Sequence, residues 1–139
     1  MRRDNWQSLL LNYLSDMQSV DFKWGVHDCL IFTSDWALIA CGVDPMHHET
    51  EGDIRGQYKS QRKAKRLISE LRGDLPDIMD KHFKRVSSHK AQRGDIVLKD
   101  IESGLTFGIV GMDGKAHFLG EANDLVVHNK LNSIAWRVE

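Results

Sequence analysis

The run Cys29-Leu30-Ile31-Phe32-Thr33-Ser34-Asp35-Trp36-Ala37-Leu38-Ile39-Ala40-Cys41 constrains this chain more than any other stretch. Asp28 stands before it as a helix N-cap, and Gly42 follows as a terminating residue. A helix with so little polar surface must be covered on most sides, so it belongs at the centre of the fold. The chain has 139 residues, the length of one domain. Its 41% apolar content is enough to build a core around such a helix without staples.

Around this helix the pattern changes character near residue 84. Trp6, Leu9, Leu10, Tyr13, Leu14 and Met17 recur at helical spacing and predict an amphipathic helix within residues 1–20, capped by Asp4 or Asn5. Phe22 to Gly25 reads as extended, with a turn at His27-Asp28. A polar loop is expected from Pro45 to Gly56, a basic helix from Tyr58 to Arg72 closed by Gly73, and a short helix with Pro76 near its start. Residues 21–83 thus make a helical half. Residues 84–139 make a β half, with short strands expected at Lys84–Ser87, Asp95–Lys99, Thr106–Gly111, Lys115–Leu119, Asp124–His128 and Ile134–Val138. Asp113-Gly114 supplies a hairpin turn. Helices first and antiparallel strands second predict an α+β fold in one domain, 1–139.

Charge excludes several function classes. Nineteen Lys and Arg against twenty Asp and Glu leave a net charge of −1, so no global field recruits nucleic acid or an anionic membrane. No apolar stretch reaches the roughly 20 residues of a membrane-spanning helix. Met1-Arg2-Arg3 followed by Leu9-Leu10-Leu11 imitates a signal peptide, but Gln7, Ser8 and Asn12 interrupt it. No signal peptide is therefore expected. Two cysteines are too few for a disulfide framework and suit a reduced, cytoplasmic setting.

Cys29 is the leading chemical candidate. A thiol in the first turn of a helix faces unpaired N–H groups and the positive end of the dipole, which favours the reactive thiolate. From position alone it reads either as a nucleophile or as a buried structural cysteine. Cys41 lies at the other end of the helix, roughly 18 Å away, too far for a disulfide, and is expected in the core. His27 is a weak candidate for a base. His47, His48, Glu49 and Glu51 lack the spacing of a helical zinc site and read as a solvated loop. Lys59, Arg62, Lys63, Lys65 and Arg66 read as a solvated helix face. His82, His89 and His128 carry no partner pattern. No metal or other cofactor is expected.

The segment Phe22-Lys23-Trp24-Gly25-Val26-His27-Asp28-Cys29 resembles the nucleophile segment of the NlpC-type, papain-like cell-wall peptidases. Downstream and in the family's order, Arg93-Gly94-Asp95-Ile96-Val97, Phe107-Gly108-Ile109-Val110-Gly111 and Ala116-His117-Phe118 resemble its successive sheet strands. Trp-Gly-x-x-Asp-Cys and the closing Ile134-Ala135-Trp136-Arg137-Val138 are most similar to small phage and prophage tail-associated members. The resemblance implies a central buried helix with Cys29 at its start, packed on a C-terminal antiparallel sheet. It also implies peptidoglycan peptides or other tail proteins as partners, and the host cytoplasm or the virion tail as location.

Three departures qualify that implication. The family's general base, a histidine, matches Thr106, which cannot take a proton from a thiol at neutral pH. A tyrosine ahead of the nucleophile matches Phe22, and a small Ser-Gly pair matches Leu30-Ile31. His117 matches the residue that orients the base. Cys29 and His117 then form an incomplete triad, with Phe22, Trp24, Gly25 and Asp28 nearby. Two functions follow: a catalytically degenerate relative with a binding or structural role, favoured by Thr106, or an active cysteine peptidase or amidase using His117 as an improvised base.

Overall fold

In the computed structural model the central helix, α2, runs Cys29–Cys41, with Asp28 as N-cap and Gly42 as C-cap. The Asp28 carboxylate accepts the Ile31 N–H at 3.0 Å, satisfying one of the free donors of the first turn. The structure describes residues 1–48, 50, 52–120 and 125–139. Leu30, Ile31, Phe32, Trp36, Ala37 and Ala40 of α2 are all buried. Helix α1, Trp6–Met17, lays Leu10, Tyr13 and Leu14 against it. The Tyr13 hydroxyl donates to the Phe32 carbonyl at 2.7 Å, and the two rings stack. The Trp36 indole N–H donates to the Gly94 carbonyl at 2.8 Å, tying the helix to the entry of the sheet.

The stretch expected as a polar loop from Pro45 to Gly56 instead carries a small hairpin, β1 (His47–His48) paired with β2 (Gly52–Asp53). Met46 and Ile54 bury themselves in the core, while Arg55 reaches Asp35 at 2.6 Å, Asp44 at 2.8 Å and Asp53 at 3.1 Å. One guanidinium thus clamps the hairpin to α2. Glu49 and Glu51 lie outside the described residues.

Helix α3 spans Gln61–Leu71 and starts later than expected, because Ser60 caps it by accepting the Lys63 N–H at 3.2 Å. Tyr58 precedes the helix and is buried. Ala64 and Ile68 form its buried stripe, and Lys59, Arg62, Lys63, Lys65 and Arg66 are exposed. Helix α4 is Leu75–Asp80.

The remaining strands are β3 (Lys84–Val86), β4 (Ile96–Ile101), β5 (Gly104–Val110), β6 (Ala116–Leu119), β7 (Leu125–His128) and β8 (Ile134–Arg137). They form one antiparallel sheet in the order β3-β8-β4-β5-β6-β7. Asp124, expected to open β7, lies outside the described residues. The protein is α+β, with four α-helices, a two-stranded hairpin and a six-stranded antiparallel sheet among the described residues. Strand alternation divides the central strands into two faces. Ile96, Leu98, Phe107, Ile109, Leu119 and Trp136 share the helix-side core, and Val97, Val110, Ala116, Phe118 and Ala135 form a smaller cluster on the reverse face.

Asp95, fully buried, joins the two ends of the described chain. Its carboxylate accepts from Arg2 at 2.7 Å, Arg137 at 2.9 Å, the Gln92 N–H at 2.8 Å and the Val138 N–H at 3.2 Å.

Candidate functional site

The approach to α2 is a tight clasp. Lys23 and His27 exchange backbone hydrogen bonds of 2.9 and 2.7 Å, turning the chain through Trp24-Gly25-Val26. Gly25 has φ of 78°, and a Cβ there would stand 2.1 Å from the Tyr58 carbonyl oxygen, so only glycine fits. Asp28 locks the clasp. Besides capping α2, it accepts the Gly25 N–H at 3.0 Å and the Tyr58 hydroxyl at 2.7 Å, and all three residues are buried. The Trp-Gly-x-x-Asp motif is therefore a device that fixes the start of α2. Phe22 packs edge-on against Trp24, with ring centroids 5.0 Å apart.

Cys29 sits where this clasp meets β5. The β5–β6 pairing begins at Gly108 and Phe118, and Phe107 just before it lines one cavity together with Cys29. Part of the residue remains open to two small cavities of about 50 and 30 Å³, which share Trp24, Cys29, Gln61 and Leu105 as walls. The sulfur itself lies deep among protein atoms, and that burial pushes the thiol up to about 12. Backbone N–H groups, those of Phe107, Leu30 and Cys29, pull in the other direction, while the Asp28 charge pushes the same way as burial. The sequence predicts a thiolate from the helix dipole. Here desolvation outweighs the dipole, and the thiol is protonated at neutral pH.

Thr106 borders the 30 Å³ cavity together with Cys29. Its hydroxyl is engaged locally, donating to the Gly104 carbonyl at 2.9 Å. His117 does not join them. It pairs with Ile109 across the β5–β6 ladder and therefore points to that residue's face, whereas Thr106 alternates with Gly108 onto the other. Its level in the sheet is three residues, roughly 10 Å, from that of Thr106. It borders neither Cys29 cavity, and its Nε2 is 3.0 Å from the Asp113 carboxylate in the β5–β6 turn. Burial disfavours the charged Asp113 carboxylate, yet contacts with His117 and the Lys115 N–H hold its pKa below the usual value.

Directly opposite Thr106 on β4 is Lys99, while Phe118 pairs with Gly108 on the same face of the sheet, two residues further along β5. The Phe118 ring lies over Gly108, where an added Cβ would approach it to 2.6 Å. The sequence reading expected His117 beside Thr106, and strand alternation puts the two on opposite faces of the sheet. Tyr58 was missed, because its link to Asp28 spans a long stretch of chain.

The other histidines stay apart from Cys29. The His27 ring is buried edge-on to Phe32, its Nε2 has no partner among the described residues, and burial lowers its pKa. His47 and His48 lie on the β1–β2 hairpin, and no group of three metal-ligating side chains occurs among the described residues. His82 borders Phe83, His128 packs edge-on to Phe118, and His89 sits in the 3-10 turn Ser88–Lys90. Cys41 donates its thiol to the Ala37 carbonyl at 3.3 Å. Among the described residues no helix is long and apolar enough to cross a membrane.

No curated protein matches the chain in sequence. A family described as Domain of unknown function (DUF6950) matches residues 1–138, and the chain belongs to that family.

Proposed function

We propose that this protein is a catalytically degenerate relative of the NlpC-type cell-wall cysteine peptidases, serving as a binding or structural module in a phage or prophage tail. The observation that carries the reading is the state of Cys29. A cysteine stands at the start of a buried helix against an antiparallel sheet, where a papain-like nucleophile belongs, yet its thiol is protonated and no imidazole shares its cavities. Acyl transfer by cysteine needs a thiolate or a base that can generate one. Thr106 supplies no base.

A binding role is supported by the cavities themselves. Trp24, Leu105 and Phe107 offer apolar walls, and Gln61 adds an amide at the edge. This combination suits an apolar peptide side chain with one polar backbone contact. Tail association rests on the resemblance of the Trp-Gly-x-x-Asp-Cys segment and of the closing Ile134–Val138 run.

The test is incubation with cross-linked peptidoglycan peptides, with products resolved by mass spectrometry beside a Cys29→Ala control. The expected result is no cleavage above the control. Calorimetric titration of the same peptides should show saturable binding that Trp24→Ala weakens by about tenfold, the scale of one lost aromatic contact. Cleavage that disappears in Cys29→Ala would overturn the reading.

A further inference from the structure

Away from Cys29, two adjoining cavities of about 400 and 370 Å³ open beside the N-terminal end of α1, with Trp6 and Gln92 lining both. Neither shares a residue with the Cys29 cavities. The first is walled by Trp6, Val110, Arg93 and Lys130 and has no acidic residue in its lining. The second is lined by Arg2, Arg3 and Arg137, with Asp4 and Glu139.

The charges here do not balance. Asp95 lies beneath Arg2 and Arg137, and its single carboxylate serves both guanidiniums. Counting it, five cationic side chains face three carboxylates, in a chain whose overall charge is −1. The Arg2 guanidinium is occupied, donating to the Val138 and Arg93 carbonyls and lying 4.4 Å over the Trp6 ring. Lys130 is anchored by the Ala91 and His89 carbonyls at 2.5 and 3.2 Å, which fixes its ammonium at the wall. Arg93 is exposed, and among the described residues no carboxylate pairs with its guanidinium.

We infer that this groove is a second binding site, for a small molecule carrying a phosphate ester on a flat or apolar body. A doubly charged headgroup answers the excess of cations better than a single carboxylate does. Arg93 offers a free guanidinium fork, and the anchored Lys130 offers a point charge beside it. Trp6 and Val110 provide the apolar wall for the body, and the volume matches small-molecule sites. The inference is independent of the function proposed for Cys29.

Heteronuclear NMR titration of the full chain tests it, with adenosine monophosphate, ribose 5-phosphate, inorganic phosphate and adenosine as probes. Adenosine monophosphate should shift the Trp6 indole and the Arg93 amide saturably. Ribose 5-phosphate, which lacks the flat body, and adenosine, which lacks the phosphate, should each bind more weakly than that ester. Inorganic phosphate should bind about tenfold more weakly than that ester, and Arg93→Ala should weaken the ester by about tenfold without moving the urea midpoint. Arg93→Lys should recover part of the loss. No saturable shift with adenosine monophosphate, equal affinity for ribose 5-phosphate, adenosine or inorganic phosphate, or unchanged affinity in Arg93→Ala would overturn the inference.

Discussion

Asp95→Ala should lower the unfolding free energy by about 3–5 kcal/mol, the scale expected when one partner of a buried ion pair is removed. The loss has a specific origin. Arg2 and Arg137 would remain close together with no counter-charge between them, and the Gln92 and Val138 N–H groups would lose their acceptor. Asp95→Asn keeps an acceptor oxygen but not the charge, so it should fall between the wild type and the alanine variant. Urea denaturation checks the order, and a loss of less than about 1 kcal/mol for Asp95→Ala would remove Asp95 as the junction of the chain's two ends.

Trp36→Ala should cost about 3–5 kcal/mol, whereas Cys29→Ala should cost much less. Trp36 is fully buried, stands beside Tyr13 and gives its indole N–H to Gly94, so truncation opens a cavity and strands the Gly94 carbonyl. Cys29 borders cavities that already exist, and removing its sulfur releases a thiol that burial keeps protonated. Equal denaturation midpoints with equal slopes would contradict the placement of α2 at the centre of the fold.

The ends of α2 were legible in the sequence because Asp28 and Gly42 act on their immediate neighbours, and local chemistry can be read locally. The strands of residues 84–139 were legible for a similar reason, since alternation and the Asp113-Gly114 turn set them within a residue or two. The β1–β2 hairpin was not, because Arg55 gathers carboxylates from α2, the Asp44 turn and β2, contacts that exist only after folding. The candidate site divides in the same way. Position placed Cys29 at a helix start, and the structure sets Thr106 in the wall of a cavity beside it. The ionisation of Cys29 depends on what covers it, which the helix dipole does not report. His117 is kept from Thr106 by strand alternation and by three residues of register, and its ring pairs with Asp113 instead.

This division bears on function. A thiol at the start of a buried helix does not itself imply catalysis, because the burial that fits Cys29 against β5 suppresses its thiolate.

The most direct test is the pH dependence of Cys29 alkylation in the folded protein, read by mass spectrometry peptide by peptide. Only the thiolate reacts, so the rate follows the fraction ionised. With the thiol pushed up to about 12, the rate should be low at neutral pH and keep rising through the highest pH at which the fold survives. A rate that levels off below about pH 8.5, the ordinary value for a free cysteine, would mean an activated thiolate and would contradict the account.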